Sequence, residues 1–175
     1  IENAGLFGDV RWKPVDRVEI AVGGRYSYDS VRVTSAQDVS GAAGLFLADE
    51  SVERRSNYSA FTPSASVIYD WTDTFSTYAS YSTGYKPGGF ANSAAGTAFT
   101  EFQEEDVENI EVGFKSSFLD DALIINASAF ALEYEDIQVP VPFDPISGTG
   151  GGVENAARAR SDGLEFSFVA RPFSG

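Results

Sequence analysis

The stretch Phe75–Phe90, FSTYASYSTGYKPGGF, decides how the rest of the chain is read. It carries no charged side chain until Lys86, and aromatics recur among Ser, Thr and Ala before it dissolves into Lys-Pro-Gly-Gly. An exposed edge strand of a soluble sheet is normally guarded by a charge against pairing with other chains. A strand buried on both faces is richer in Val, Ile and Leu. This run fits neither. Taken two by two, Phe75, Ala79 and Tyr81 fall on one side, and Ser76, Tyr78, Ser80 and Ser82 on the other. That is a strand with one apolar surface and one wet surface.

The same alternation extends in both directions. Leu6, Val10 and Trp12 oppose Asp9 and Arg11, and Val18, Ile20, Val22, Tyr26 and Tyr28 oppose Glu19, Ala21, Arg25, Ser27 and Asp29. Ala65, Val67, Tyr69 and Trp71 oppose Ser64, Ser66 and Asp70. Ile110, Val112, Phe114 and Phe118 oppose Asn109, Glu111, Lys115 and Ser117; Leu164, Phe166, Phe168 and Ala170 oppose Glu165 and Ser167. Helical periodicity is scarce. The pattern predicts about seven strands, most of them roughly 9–14 residues long, against a usual mode of about 5–6.

The expected connections alternate in length. Lys13–Asp16, Thr72–Thr74 and Leu119–Ala122 are short; Thr34–Asn57, Pro87–Asp106 and Pro140–Gly152 are long. Tight turns at one end and long loops at the other are the wiring of an outer-membrane barrel. Trp12, Trp71 and Phe75 adjoin short turns, whereas Tyr26, Tyr28, Tyr81 and Tyr85 lie toward the long loops, which gives the two aromatic belts that membrane interfaces select. The predicted fold is therefore all-β: an antiparallel up-and-down meander of about seven long strands, part of a larger transmembrane barrel. A soluble β-sandwich also alternates, but its strands run shorter, with turn signals every 8–12 residues or so.

Composition narrows the function. With Lys+Arg 12 against Asp+Glu 26, the formal net charge of the 175 residues is -14, which argues against nucleic-acid binding, since phosphate contacts need a basic face. The chain contains no Cys, His or Met, the usual residues of zinc sites, haem axial ligation, thiol catalysis and Ser-His-Asp chemistry. No apolar run is long enough for a membrane-spanning helix, and no signal peptide is visible. Both ends read as lying inside a longer protein.

Three pieces, in this order and spacing, resemble one family, the TonB-dependent outer-membrane receptors of Gram-negative bacteria. YASYSTGYKPGGF is similar to the family's Tyr-Ala-Ser-Tyr followed by Gly-aromatic-basic. Glu111, Gly113, Lys115, Phe130, Tyr134, Asp136, Ile137 and Gln138 match its Glu-x-Gly-x-Lys, Phe-x-x-x-Tyr and Asp-Ile-Gln succession; Asn155, Ala156, Gly163 and Glu165 match Asn-Ala and Gly-x-Glu. The resemblance covers nearly the whole chain. It implies a barrel of about 22 strands with a plugged lumen, of which this chain would be the later part, residues 1–175, without the plug and the remaining strands. It also implies contact with membrane lipid, with the protein's own plug and, through a missing N-terminal part, with the TonB complex. The implied activity is uptake of a scarce solute, by default an iron-siderophore or other metal chelate, with no enzyme chemistry and no cofactor. A passive porin or a soluble carbohydrate-binding β-domain are the alternatives.

Several residues remain as candidates. Phe90, Phe99, Phe102 and Glu104 sit in the middle long loop, where aromatics suit solute binding but could equally pack within the loop. Arg11, Glu19, Arg25, Glu111, Lys115 and Glu165 are expected on the wet face, toward lumen and plug; pairing Trp12 with Val18 would set Arg11 opposite Glu19, and pairing Phe118 with Leu123 would set Lys115 opposite Asn126. Gly113, also on the wet face, is expected to accept Ser far more readily than Val112 accepts Arg. The acidic groups Glu104–Asp106 and Glu133–Asp136 read as a solvated rim rather than a catalytic pair. Ser147–Gly152, SGTGGG, lacks the Lys-Ser/Thr of a phosphate loop and reads as a loop tip.

Overall fold

The computed structural model describes residues 1–37, 50–92, 99–144 and 149–171. These form strands only: β1 (Glu2–Val15), β2 (Val18–Gln37), β3 (Glu50–Thr72), β4 (Phe75–Lys86), β5 (Gly89–Asn92), β6 (Phe99–Phe102), β7 (Glu105–Phe118), β8 (Leu123–Asp144) and β9 (Thr149–Ala170). Seven of them build one antiparallel sheet in the order β1-β2-β3-β4-β7-β8-β9, and β5 and β6 pair with each other in a separate hairpin. Consecutive strands of the main sheet are neighbours throughout, which is the meander expected from the sequence.

The register carries the apolar positions onto a single face. Trp12, Ile20 and Val67 stand side by side, as do Val10, Val22, Ala65 and Tyr81. Tyr81 continues into Ile110 and Ala131, Ala79 into Val112, Ala129 and Leu164, and Thr77 into Phe114, Ala127 and Phe166. The result is an apolar band that crosses all seven strands. No described residue covers it: Leu6, Val10, Phe61 and Leu164 are 65–85% exposed, and among the described residues the only buried hydrophobic side chain is Tyr58. A soluble sandwich would pack two such faces together. Here one main sheet presents its apolar face outward.

The short connections lie at one end, Asp16–Arg17, Asp73–Thr74 and Leu119–Ala122. The last of these runs through three consecutive left-handed residues, Leu119, Asp120 and Asp121, a conformation in which Asp is tolerated better than most residues. The first turn is tighter than the sequence suggests. β1 continues to Val15, which pairs with Val18, and a bulge lies between Trp12 and Val15. An extra residue on one side shifts everything beyond it, so Trp12 faces Ile20 and Arg11 faces Ala21, not Glu19. Glu19 pairs instead with Lys13 at 3.2 Å. At the third turn Phe118 pairs with Leu123 and Lys115 with Asn126, the register expected.

At the other end the strands run well past the expected loop boundaries. β2 and β3 stay paired up to Gln37 and Glu50, and β8 and β9 up to Asp144 and Thr149. Of the expected loop tip, Ser147 and Gly148 lie outside the described residues, while Gly150–Gly152 belong to β9, with positive φ at Gly151 and Gly152. β4 leaves β3 early: their pairing ends at Ser64 and Ser82, next to Pro63, which has no amide hydrogen to donate. Above that split β4 stays with β7 alone, and Tyr85 reaches across to Asp29 of β2 at 3.4 Å rather than joining an outward aromatic row.

Candidate functional site

The polar face holds the groups that matter. Near its centre, Tyr78 of β4 lies across Gly113 of β7, its cross-strand partner. A Cβ at Gly113 would stand 2.8 Å from the Tyr78 ring and 2.7 Å from the Ala127 carbonyl oxygen. The phenol donates to the Glu111 carboxylate, and the Lys115 ammonium sits 5.6 Å above the same ring. Glu-x-Gly-x-Lys is therefore one unit: the glycine admits the ring and the two charges flank it. Gly-x-Glu repeats the device, since Gly163 faces Phe130, whose ring a Cβ would meet at 2.5 Å, and Glu165 stands on the same face. Gly113 is thus a crowded position and not the tolerant one expected from the sequence; the alternation shows its face but not the ring above it.

Toward the long-connection end, Arg25 extends over Phe7 at 5.9 Å and fills the space beside Gly5. Arg11 lies 3.7 Å from Asp9. Arg11, Glu19, Arg25, Glu111, Lys115 and Glu165 thus share the polar face. On the opposite face, Tyr69 and Trp71 meet edge to face at 4.6 Å, and the Trp71 indole donates to Thr77 at 3.0 Å, while Trp12 is 61% exposed. Tyr81 donates to Glu108 at 3.3 Å beside Ala65 and Val22, and the Tyr26–Phe61 pair lies farther along the same face of β2 and β3. Phe75 packs on Phe114 at 5.8 Å.

Above the band, the hairpin β5–β6 touches both β2 and β9. Its sequence explains Lys-Pro-Gly-Gly. Lys86 pairs with Glu105 at 3.6 Å, the Pro87 carbonyl accepts from Gln138, and a side chain at Gly88 or Gly89 would collide with Tyr58 or Phe102. On one flank Glu101 accepts from Tyr58, at 3.0 Å, and from Ser56. Burial, reinforced by that carboxylate, pushes the Tyr58 phenol up to about 12. On the other flank stand Gln138 and Asn155. Phe102 packs inside the hairpin over Gly89; Phe90 and Phe99 are half-buried in it, with Phe90 paired with Glu101, and Glu104 lies at its base. The acidic groups meet beside this base: burial, followed by Glu104, Asp136 and Glu135, holds the Asp106 carboxyl above its ordinary range. No cluster of metal-ligating residues occurs among the described residues.

Tyr58, Ser56 and Glu101 are not singled out by the sequence; they lie where alternation fades, and only the folded hairpin brings them together. Gln138 and Asn155 stand in the family-like motifs, but their role is visible only in the structure.

A one-sided apolar band on long antiparallel strands, with tight turns at one end and a structured loop at the other, defines the wall of an outer-membrane β-barrel. Residues 1–174 match the TonB dependent receptor-like beta-barrel family, and the chain belongs to it. It is thus a segment of the outer-membrane barrel of a receptor family. It is 27% identical over 168 residues to the pesticin receptors of Yersinia enterocolitica and Yersinia pestis, covering 94% of this chain and 23% of theirs. Among solved structures it resembles the ferric yersiniabactin uptake receptor FyuA from Yersinia pestis, with TM-score 0.70 and 21% identity over 95% of this chain and 23% of that one. It also resembles the ferric-catecholate import receptor Fiu from E. coli, with TM-score 0.67 and 17% identity over 95% and 25% of the two chains. The chain therefore spans about a quarter of the length of these relatives.

Proposed function

We propose that these residues form seven strands of a barrel of about 22 strands in an active importer, whose plug and remaining wall belong to the rest of the receptor. The kinship with named ferric-siderophore uptake receptors carries this reading. The apolar band faces lipid, and Trp12, Trp71 and Phe75 mark the periplasmic interface, with Tyr26, Tyr28 and Tyr81 at the outer one. Arg11, Glu19, Arg25, Glu111, Lys115 and Glu165 face the lumen and the plug. Phe90, Phe99, Phe102 and Glu104, carried by the hairpin at the lumen mouth, contact the arriving solute, an iron-siderophore. The wall does no covalent chemistry. Energy arrives through the TonB complex acting on the plug, and specificity comes from the mouth.

The test is uptake by cells expressing the whole receptor as their sole ferric-siderophore importer, offered ferric yersiniabactin and a ferric catecholate, with TonB present or deleted. TonB-dependent iron accumulation from either supports the reading. Solute flux that persists without TonB overturns it in favour of a passive porin.

A further inference from the structure

The base of the hairpin is closed by two carboxamides from strands that are distant in sequence. Asn155 of β9 donates through Nδ2 to the carbonyls of Gln103 at 3.0 Å, Glu104 at 3.3 Å and Asp136 at 2.8 Å, and its Oδ1 accepts from the Gln103 amide at 2.6 Å. Gln138 of β8 donates through Nε2 to the carbonyls of Pro87 at 2.9 Å and Gln103 at 3.0 Å, and its own amide donates to Glu105 at 2.9 Å. Pro87 enters the hairpin and Gln103 leaves it, so both ends of the loop are gripped.

The wall is shaped for this grip. Asp136 adopts a left-handed φ of 53°, and pairing between β8 and β9 slips between Tyr134 and Gln138. Such slips re-aim side chains; here they bring Gln138 opposite Asn155 beneath the loop. A carboxamide offers donors and an acceptor on one rigid plane, which neither Asp nor Ala reproduces against several carbonyls and one amide. The far flank is held separately, by Glu101 on Tyr58 and Ser56.

We propose that Asn155 and Gln138 are positioning residues that latch the base of the hairpin and so hold β5–β6 across the lumen mouth. Their consequence for solute recognition rests on the importer reading; the latch itself does not.

Hydrogen–deuterium exchange on the intact receptor, without solute, tests it. Peptides covering 99–105 should exchange at least about ten-fold faster in Asn155→Ala and equally fast in the isosteric Asn155→Asp, since one or two lost hydrogen bonds are worth about that factor. Gln138→Ala should show the same, while peptides within 110–118 and 123–132, and heat-modifiable migration, stay as in the wild type. Wild-type protection in Asn155→Asp would overturn the latch, because shape alone would then suffice. Loss of protection shared equally by the barrel peptides would overturn it too, by showing a general structural role. Because no solute is present, a failed uptake assay leaves this result standing.

Discussion

Gly113→Ala adds one methyl group at the most crowded point of the polar face. The new Cβ would lie 2.7 Å from the Ala127 carbonyl oxygen and 2.8 Å from the Tyr78 ring. The carbonyl belongs to the β7–β8 ladder and cannot yield without disturbing it; the ring is held by Glu111 and Lys115. Overpacking of this kind costs about 1–3 kcal/mol, against a gain of about 0.5–1 kcal/mol from replacing glycine in a strand. The net expectation is a loss of up to roughly 2.5 kcal/mol. Gly8 is the matched control: it stands on the opposite face with nothing within 4 Å of its would-be Cβ, so Gly8→Ala should be neutral or slightly stabilising. The assay is reversible urea unfolding of the intact receptor in lipid vesicles, for both variants and for Gly113→Ala in a Tyr78→Ala background. Removing the ring should recover part of the loss and leave the share due to the carbonyl. A Gly113→Ala variant as stable as Gly8→Ala would refute the reasoning, as would a loss that Tyr78→Ala leaves wholly unchanged.

Other expectations follow from the same geometry. Val112→Arg, set in the middle of the band, should destabilise the folded barrel by about 2–4 kcal/mol, and Ser66→Arg on the polar face by much less; equal losses in the same titration would contradict the face assignment. Replacing residues 88–102 with a short Gly-Ser turn should leave heat-modifiable migration intact while weakening ferric-siderophore binding, because loops tolerate change while carrying function; undiminished affinity would remove the hairpin from recognition. Because Asp106 is held above its ordinary 3.8, its favourable contribution is full below that value and is lost as pH rises through its raised one. The protection factor at the loop base, exchange corrected for its intrinsic pH dependence, should therefore rise on mild acidification, and Asp106→Asn should flatten that rise; an unchanged slope in the variant would count against it. Trp12 and Trp71 should be quenched alike by headgroup-labelled lipids; strong quenching of only one of them by mid-chain labels would separate them in depth.

Legibility in the sequence follows the solvent on each side of the strand. Between the turns and the rung of Tyr81 and Ile110, one face meets an apolar medium and the other a polar one, so residues alternate, and Val10, Val22, Ala65 and Val112 could be placed from their spacing alone. Beyond that rung on β4 and β7, and beyond Leu6, Tyr26 and Phe61 on β1, β2 and β3, the apolar positions leave the alternation. Alternation then carries no information, although backbone pairing continues, and the segments around Thr34–Asn57 and Pro140–Gly152 read as loops where the structure extends β2, β3, β8 and β9. Register near the first turn was illegible for another reason: a bulge at Lys13–Pro14 changes no apolar spacing within β2, yet moves Arg11 from Glu19 to Ala21. The two flanks of the hairpin were hidden because their partners, Tyr58 with Glu101 and Asn155 with Gln103, are far apart in sequence and make no periodic pattern. What the motifs did mark, Gly113 and Gly163, proves to be room for Tyr78 and Phe130.

The central claim is that one face of this sheet meets lipid while the other does not. The chain contains no Cys, so single cysteines placed in it can carry a fluorescent label without background from these residues. The decisive measurement is quenching by mid-chain-labelled lipids of labels at 109, 110, 111, 112, 114 and 115, one at a time, in the intact receptor reconstituted into vesicles. Strong quenching at Ile110, Val112 and Phe114 and weak quenching at Asn109, Glu111 and Lys115 is the predicted result. Uniform quenching, or the opposite alternation, would contradict it.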